Sequence, residues 1–210
     1  MDNREYFDKV ASQWDQMRTK LFSVNVRETA MRIAGVSEGK TAADIGAGSG
    51  FISEGLLARG LKVIAVDHSQ EMLEVMRRKF PDTRGLEVRL GDSERLPLDD
   101  ASVDYVFANM YLHHVEDPPA AILEMVRILK PSGVLVITDA DEHNHEFLRI
   151  EQHDRWLGFK HDDLRRWYRE AGLAEIEVRS IGEKCRPTAQ CGSTVDISIF
   201  AASGRKRVGQ

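Results

Sequence analysis

The sequence predicts an α/β protein: a doubly wound, seven-stranded sheet, mostly parallel, with an antiparallel terminal strand and helices at the N-terminus. Three observations carry that prediction. Short β-branched runs alternate with amphipathic helical stretches from about residue 41 to residue 138. The first of those runs ends in a triple-glycine turn, Gly46-Ala-Gly48-Ser-Gly50. The last two β-like runs follow one another with no helical stretch between them, which demands an antiparallel pair.

Taken in order, Tyr6, Phe7, Val10, Ala11, Trp14 and Met17 recur at spacings of three and four, predicting one amphipathic helix over 3–17. A second helix runs from about Val24 to Ala34 and is closed by Gly35. Thr41 to Ile45 is a buried strand that runs into the glycines. Leu61 to Val66 is a second strand, ending in Asp67. Ser69 then caps a helix with Met72, Leu73 and Met76 on its inner face. Leu86–Leu90 and Val103–Ala108 are the third and fourth strands. Asp117-Pro118-Pro119 opens a helix with the aspartate as cap and the prolines in the first turn; that helix stops before Pro131. Gly133 to Thr138 is the fifth strand, followed by helical stretches at about 145–157 and 161–171. Leu173–Ile181 and Thr194–Ala201 form the last two strands, separated by a loop from Gly182 to Ser193. The expectation is five βα units plus a terminal hairpin, folded as a single domain in which 1–36 form a helical lid over 37–210.

With 210 residues, 42% of them hydrophobic, the chain can bury one core. A formal net charge of -5 argues against sequence-independent binding to nucleic acid, which rests on phosphate neutralisation. The basic run Arg205-Lys206-Arg207 is expected to be a solvated terminus. No apolar run approaches the roughly 20 residues that span a bilayer, and the first twenty residues lack a signal-peptide core. Two cysteines do not make a disulfide framework, so free thiols and a cytoplasmic setting are expected.

The glycine turn lies where open α/β sheets bind ligands, outside the carboxyl ends of the strands. Asp67, seventeen residues beyond Gly50, is placed to accept hydrogen bonds from ribose hydroxyls, which suits either a dinucleotide or an adenosyl cofactor. The dinucleotide fingerprint is G-x-G-x-x-G/A, whereas here the glycines alternate and Asp44 stands two residues before the first. A carboxylate there opposes a pyrophosphate but suits a ligand bearing an ammonium group.

With Asp44-Ile-Gly-Ala-Gly-Ser-Gly50, Val66-Asp67-His-Ser69, Gly91-Asp92-Ser93 to Pro97, Asp104 to Asn109 and Leu129-Lys-Pro-Ser-Gly133 in this order, the chain resembles class I S-adenosylmethionine-dependent methyltransferases over nearly its whole length. The resemblance implies a Rossmann-like fold and S-adenosyl-L-methionine as cofactor. It also implies that Gly46 and Gly48 pass under the methionyl group beside Asp44, that Asp67 holds the ribose, and that Asp92 and the Ser93 N–H hold the adenine. His68 and Met72 would flank the adenine, with Ala47 and Asn109 completing the cofactor-binding set. Related enzymes use an N-terminal helix as a lid, a role open to Tyr6, Phe7 and Trp14.

Candidate groups for the transfer step are His113 and His114, which follow the fourth strand, and Cys185 and Cys191 in the loop before the last strand. Histidine titrates near neutral pH. Thiols suit a soft acceptor and give the chain a more distant similarity to arsenite methyltransferases. The stretch from His143 to Gly172 also resembles methyltransferase domains associated with ArsR-type regulators. His143 and His145 open on the same rim, but no metal site is expected. The expected function is methyl transfer to a small-molecule acceptor, either a thiol or metalloid such as As(III), or the carbon or oxygen of a quinone- or polyketide-like metabolite. A non-catalytic cofactor-binding regulatory module is the other alternative. No nucleic-acid or membrane partner is expected, and the chain is expected as a monomer or homodimer.

Overall fold

The computed structural model describes residues 3–92 and 94–208. Its strands are β1 (Thr41–Ile45), β2 (Lys62–Asp67), β3 (Leu86–Leu90), β4 (Val103–Asn109), β5 (Leu129–Ala140), β6 (Leu173–Cys185) and β7 (Ile197–Lys206). They form one sheet in the order β3-β2-β1-β4-β5-β7-β6. Strands β1 to β5 pair in parallel, and β7 pairs antiparallel with both β5 and β6. This is the Rossmann-like sheet expected from the sequence, with β7 as its antiparallel strand. The order reverses between β1 and β4, so the turns after these strands open a crevice at their carboxyl ends.

Helices α1 (Asn3–Val10), α2 (Trp14–Leu21) and α3 (Val24–Ala34) precede the sheet. Helices α4 (Phe51–Leu57), α5 (Gln70–Lys79), α6 (Pro118–Ile128), α7 (Phe147–Glu151) and α8 (His161–Glu170) connect or follow its parallel strands. The signals that depend on neighbours in the chain behave as expected. Ser69 Oγ accepts from the Met72 N–H, Asp117 Oδ1 accepts from the Ala120 N–H, and Gly35 closes α3 in the left-handed conformation. Two apolar layers cover the sheet. One packs Ile122, Met125, Leu164 and Tyr168 on one face, and the other packs Val26, Met31, Phe51 and Leu56 on the opposite face.

Four features depart from the sequence expectation, besides the extension of β6 through Cys185. The single helix over 3–17 is two helices joined by a 3-10 turn at Ala11–Gln13, and the rings of Phe7 and Trp14 meet edge to face across it at 5.4 Å. Among the described residues no helix separates β3 from β4, so helices follow four of the first five strands rather than all five. The helix expected over 145–157 shrinks to α7, because the chain beyond it bonds to the end of β5: Phe159 N–H donates to Ala140 O and His143 N–H to Leu157 O. At Gly158, with φ +73°, an added Cβ would lie 2.2 Å from the Asp141 carbonyl oxygen, so this close approach requires glycine.

The basic tail is the fourth. Arg205 and Lys206 belong to β7, and Lys206 is buried rather than solvated. Its ammonium donates to the carbonyls of Val126 and Leu129 at 2.8 Å and of Arg127 at 3.2 Å, capping the end of α6, whose last carbonyls lack helical partners. Lys206→Ala is therefore expected to lower the free energy of unfolding by about 2–3 kcal/mol, since it strands these acceptors. A urea midpoint equal to that of the unsubstituted protein would contradict the assignment.

Candidate cofactor and acceptor site

Strand β1 delivers Asp44 to the crevice and then turns sharply. The Gly46 and Ala47 N–H groups both donate to Val66 O of β2, at 2.9 and 3.1 Å, which pins the turn against the neighbouring strand. Gly46 has φ +67°, and a Cβ there would fall 2.1 Å from the ring of Tyr111. Trp14 of α2 approaches Gly48 in the same way, its Nε1 lying 3.3 Å from the position a Cβ would take. The turn is thus a backbone floor beneath aromatic side chains.

A cavity lies over this floor, lined by Asp44, Gly46, Ala47, Gly48, Asp67, His68, Met72 and Asn109 of the expected cofactor set. Phe7, Trp14, Phe22 and Phe51 supply apolar walls. A second, polar cleft shares His68, Tyr111 and His114 with the first and adds Asp92. Ser93 lies outside the described residues. The N-terminal helices are bonded to the segments around this floor: Ser69 Oγ donates to Asp8 at 2.6 Å and Ser49 Oγ to Asp15 at 2.5 Å.

The two carboxylates define the electrostatics. Asp44 is 1% exposed, and its Oδ2 accepts from the N–H and Oγ of Ser53 at 2.9 and 2.6 Å. Burial pushes its pKa up to about 7 despite these bonds, and the charge of Asp67 adds to the rise. Asp67 accepts from Gly48 N–H at 2.8 Å and Ser69 N–H at 2.9 Å, and its pKa is also raised by burial. Its nearest ion-pair contact is His68 Nδ1 at 3.6 Å. No lysine or arginine among the described residues forms a salt bridge with either carboxylate. Two buried acids held by backbone donors, without a permanent cation, fit a ligand that brings its own positive charge and its own hydroxyls.

Arg18 of α2 also lines this cavity, stacked 4.2 Å from the Phe51 ring centroid, and its Nε has no hydrogen-bond partner among the described residues. Sequence reasoning missed it because nothing in the local pattern separates this arginine from an ordinary exposed one.

The expected transfer-step candidates are dispersed. His113 is buried, and its Nδ1 lies 2.6 Å from Asp139 Oδ1. Burial opposes its protonation, but the charges of Asp139 and Asp154 and the hydrogen bond to Asp139 outweigh that and hold its pKa at about 9. The His114 ring lines both cavities under Phe7, at 5.0 Å between ring centroids. Burial, then the charge of His113, keeps His114 neutral. Asp154, at the same cluster, is raised to about 6 by burial. No sequence signal marked Asp154, which sits forty residues beyond His114 in an irregular segment.

The cysteines occupy different surroundings. Because β6 extends to residue 185, Cys185 is the last residue of a strand rather than part of a loop, and it is buried. Burial pushes its thiol up to about 12. Cys191 is exposed, and its contact with Ser193 Oγ lowers its pKa. His143 and His145 stack on each other at 5.3 Å, and burial followed by the charge of His145 brings His143 down to about 4.

Comparison with known proteins agrees with this geometry. The methyltransferase domain family matches residues 43–137. A demethylmenaquinone methyltransferase of Clavibacter sepedonicus is 36% identical over 136 residues, covering 63% of this chain and 56% of that protein. Among solved structures, a chain of the complex formed by the Haloferax volcanii Trm112 methyltransferase activator superposes with a TM-score of 0.80 at 26% identity, covering 96% of this chain and 98% of the other. A SAM dependent methyltransferase from Aquifex aeolicus shares the fold at 21% identity and a TM-score of 0.70, covering 94% and 97% of the two chains. The chain spans between 36% and 56% of the length of such curated relatives.

The fold and the site therefore define an α/β domain with an acid-flanked glycine turn at the crevice of its sheet. Residues 43–137 are similar to the methyltransferase domain family, and the chain shares its fold with solved methyltransferase structures. Among the described residues, no helix is long and apolar enough to cross a membrane.

Proposed function

We propose that this chain transfers a methyl group from S-adenosylmethionine to the carbon or oxygen of a small, largely apolar acceptor. The observation that carries the reading is the pair of buried carboxylates, Asp44 and Asp67, set on either side of the glycine floor without a permanent cation. When bound, the cofactor supplies an electrophilic methyl group on a sulfonium.

The chain's own residues bind, orient and shield. Asp44 pairs with the ammonium of the methionyl group, and Arg18 meets its carboxylate. Asp67 has a lone pair left on each oxygen for the ribose hydroxyls after accepting from Gly48 and Ser69. Asp92 holds the adenine edge, flanked by His68 and Met72. Residues 1–36 act as the lid, with Phe7 and Trp14 excluding water above the turn. Such alignment can contribute on the order of 7–11 kcal/mol to a transfer that needs no covalent enzyme intermediate.

The acceptor class rests on two supports. The walls around the site are aromatic, and the Clavibacter relative is a demethylmenaquinone methyltransferase. A thiol or As(III) acceptor gathered by Cys185 and Cys191 has less support, because a buried thiol near pKa 12 stays protonated and its companion faces solvent. A screen following S-adenosylhomocysteine release with quinols, phenols, thiols, amines and As(III) tests the reading. Turnover is expected with a quinol or phenol, within about twofold in the Cys185→Ser, Cys191→Ser double variant. Turnover confined to thiols or As(III), and lost in that variant, transfers the assignment to the cysteines. Cofactor binding with no turnover on any acceptor supports a regulatory module.

A further inference from the structure

Behind the wall that separates the two cavities, three side chains converge on one point. His113 Nε2 and His114 Nδ1 each lie 3.8 Å from Asp154 Oδ1, and the three donor atoms all fall within 4.8 Å of one another. Their side chains are 9%, 10% and 7% exposed. His114 Nδ1 and Asp154 Oδ1 are buried and make no hydrogen bond among the described residues. An unsatisfied buried polar atom costs about 1–3 kcal/mol, and here two of them face each other.

The outer nitrogen of one ring is already committed. His113 Nδ1 is held at 2.6 Å by Asp139 Oδ1, and that carboxylate is fixed in turn by the Ala140 N–H at 2.7 Å and the His113 N–H at 3.3 Å. Metal-bound histidines are oriented in this way, one nitrogen on a carboxylate or carbonyl and the other presented to the ion.

We infer that His113 Nε2, His114 Nδ1 and Asp154 Oδ1 form a binding site for a divalent transition-metal cation, with Asp139 as the orienting group of His113. Two imidazoles and one carboxylate match zinc or iron(II) rather than magnesium or calcium, which take oxygen ligands. Tetrahedral zinc, with bonds of about 2.0–2.1 Å, places its donors about 3.4 Å apart. The Asp154 oxygen therefore closes on each ring by a few tenths of an ångström, and the rings close on each other by at most about 1.4 Å. Three protein ligands leave a further coordination position, as in zinc sites that take a water or substrate. The inference does not depend on the acceptor class proposed above.

Zinc titration into chelator-treated protein, followed by calorimetry and by elemental analysis after gel filtration, tests the site. A Cys191→Ser background removes the exposed thiol as a competing ligand. One zinc per chain is expected, with a dissociation constant below about 1 μM. Asp154→Asn, which keeps the shape of the side chain, is expected to weaken binding at least 100-fold, and His114→Ala likewise. Asp139→Asn is expected to weaken it by about 10–100-fold through loss of the orienting bond. The double variant His143→Ala, His145→Ala is expected to bind as the parent does, and circular dichroism confirms that each variant is folded. Replacing zinc by cobalt(II) gives a visible spectrum that changes in the Asp154 variant. Absence of stoichiometric zinc in the parent, or parent-like affinity in a folded Asp154→Asn protein, overturns the inference. So does loss of binding in the His143, His145 variant alone.

Discussion

Calorimetric titration of Asp67→Ala with S-adenosylhomocysteine is expected to show an affinity reduced by at least about 100-fold. Two hydrogen bonds from ribose hydroxyls to a carboxylate are removed, each worth roughly 1.5–3 kcal/mol when the acceptor is charged. The same substitution frees the N–H groups of Gly48 and Ser69, which Asp67 now holds at 2.8 and 2.9 Å. Asp67→Asn separates the two effects, because one amide oxygen can still accept from the backbone while the charge is gone. That variant should fold with near-parental stability and bind at least tenfold more weakly. Unchanged affinity in both variants would remove Asp67 from the ribose site.

Asp44→Asn is expected to move stability and binding in opposite directions. The folded-state pKa of Asp44 is raised from 3.8 to about 7, so the native protein holds a proton there that the unfolded chain has already lost. A carboxyl group with a raised folded pKa favours folding at low pH, and that contribution disappears as pH rises from about 4 through 7. Three pKa units correspond to about 4 kcal/mol. Without ligand, the asparagine variant, which can still accept from Ser53, should therefore be more stable than the parent by up to about 4 kcal/mol at pH 8. The difference should shrink as pH falls towards 5. Affinity for S-adenosylhomocysteine should fall by 2–5 kcal/mol, the usual cost of deleting one partner of a buried charge pair. In the parent, that affinity should rise between pH 6 and 8 as Asp44 ionises, and the variant should show no such rise. Denaturant unfolding at the two pH values measures the first effect. A variant less stable than the parent at pH 8, or one that binds equally well, would contradict the role given to Asp44.

The part of the candidate site around the glycine turn was legible in the sequence because its residues are close together in the chain. Asp44 and the glycines occupy seven consecutive residues, and Asp67 ends the next strand, so parallel pairing of β1 with β2 brings them together with no further information. The histidine–aspartate cluster was not. His113 and His114 were visible as candidates, but their partners Asp139 and Asp154 lie 26 and about 40 residues away on segments whose placement depends on β5 and on the loop that packs against its end. Arg18 was equally hidden, since its aim into the cavity follows from the 3-10 turn that breaks the N-terminal helix.

By itself the sequence determined the alternation of strands and helices, the helix caps at Ser69 and Asp117, and the acid-flanked glycine turn. Each of these is decided by forces acting within a few residues: hydrophobic periodicity, hydrogen bonds from cap side chains, and the freedom of glycine to adopt positive φ. Only the tertiary structure decided that Lys206 caps α6, that Cys185 lies in the core, and that two histidines and two aspartates meet in one buried cluster. Those outcomes turn on desolvation and charge between segments far apart in the chain, whose energies are set by which surfaces the finished sheet brings into contact.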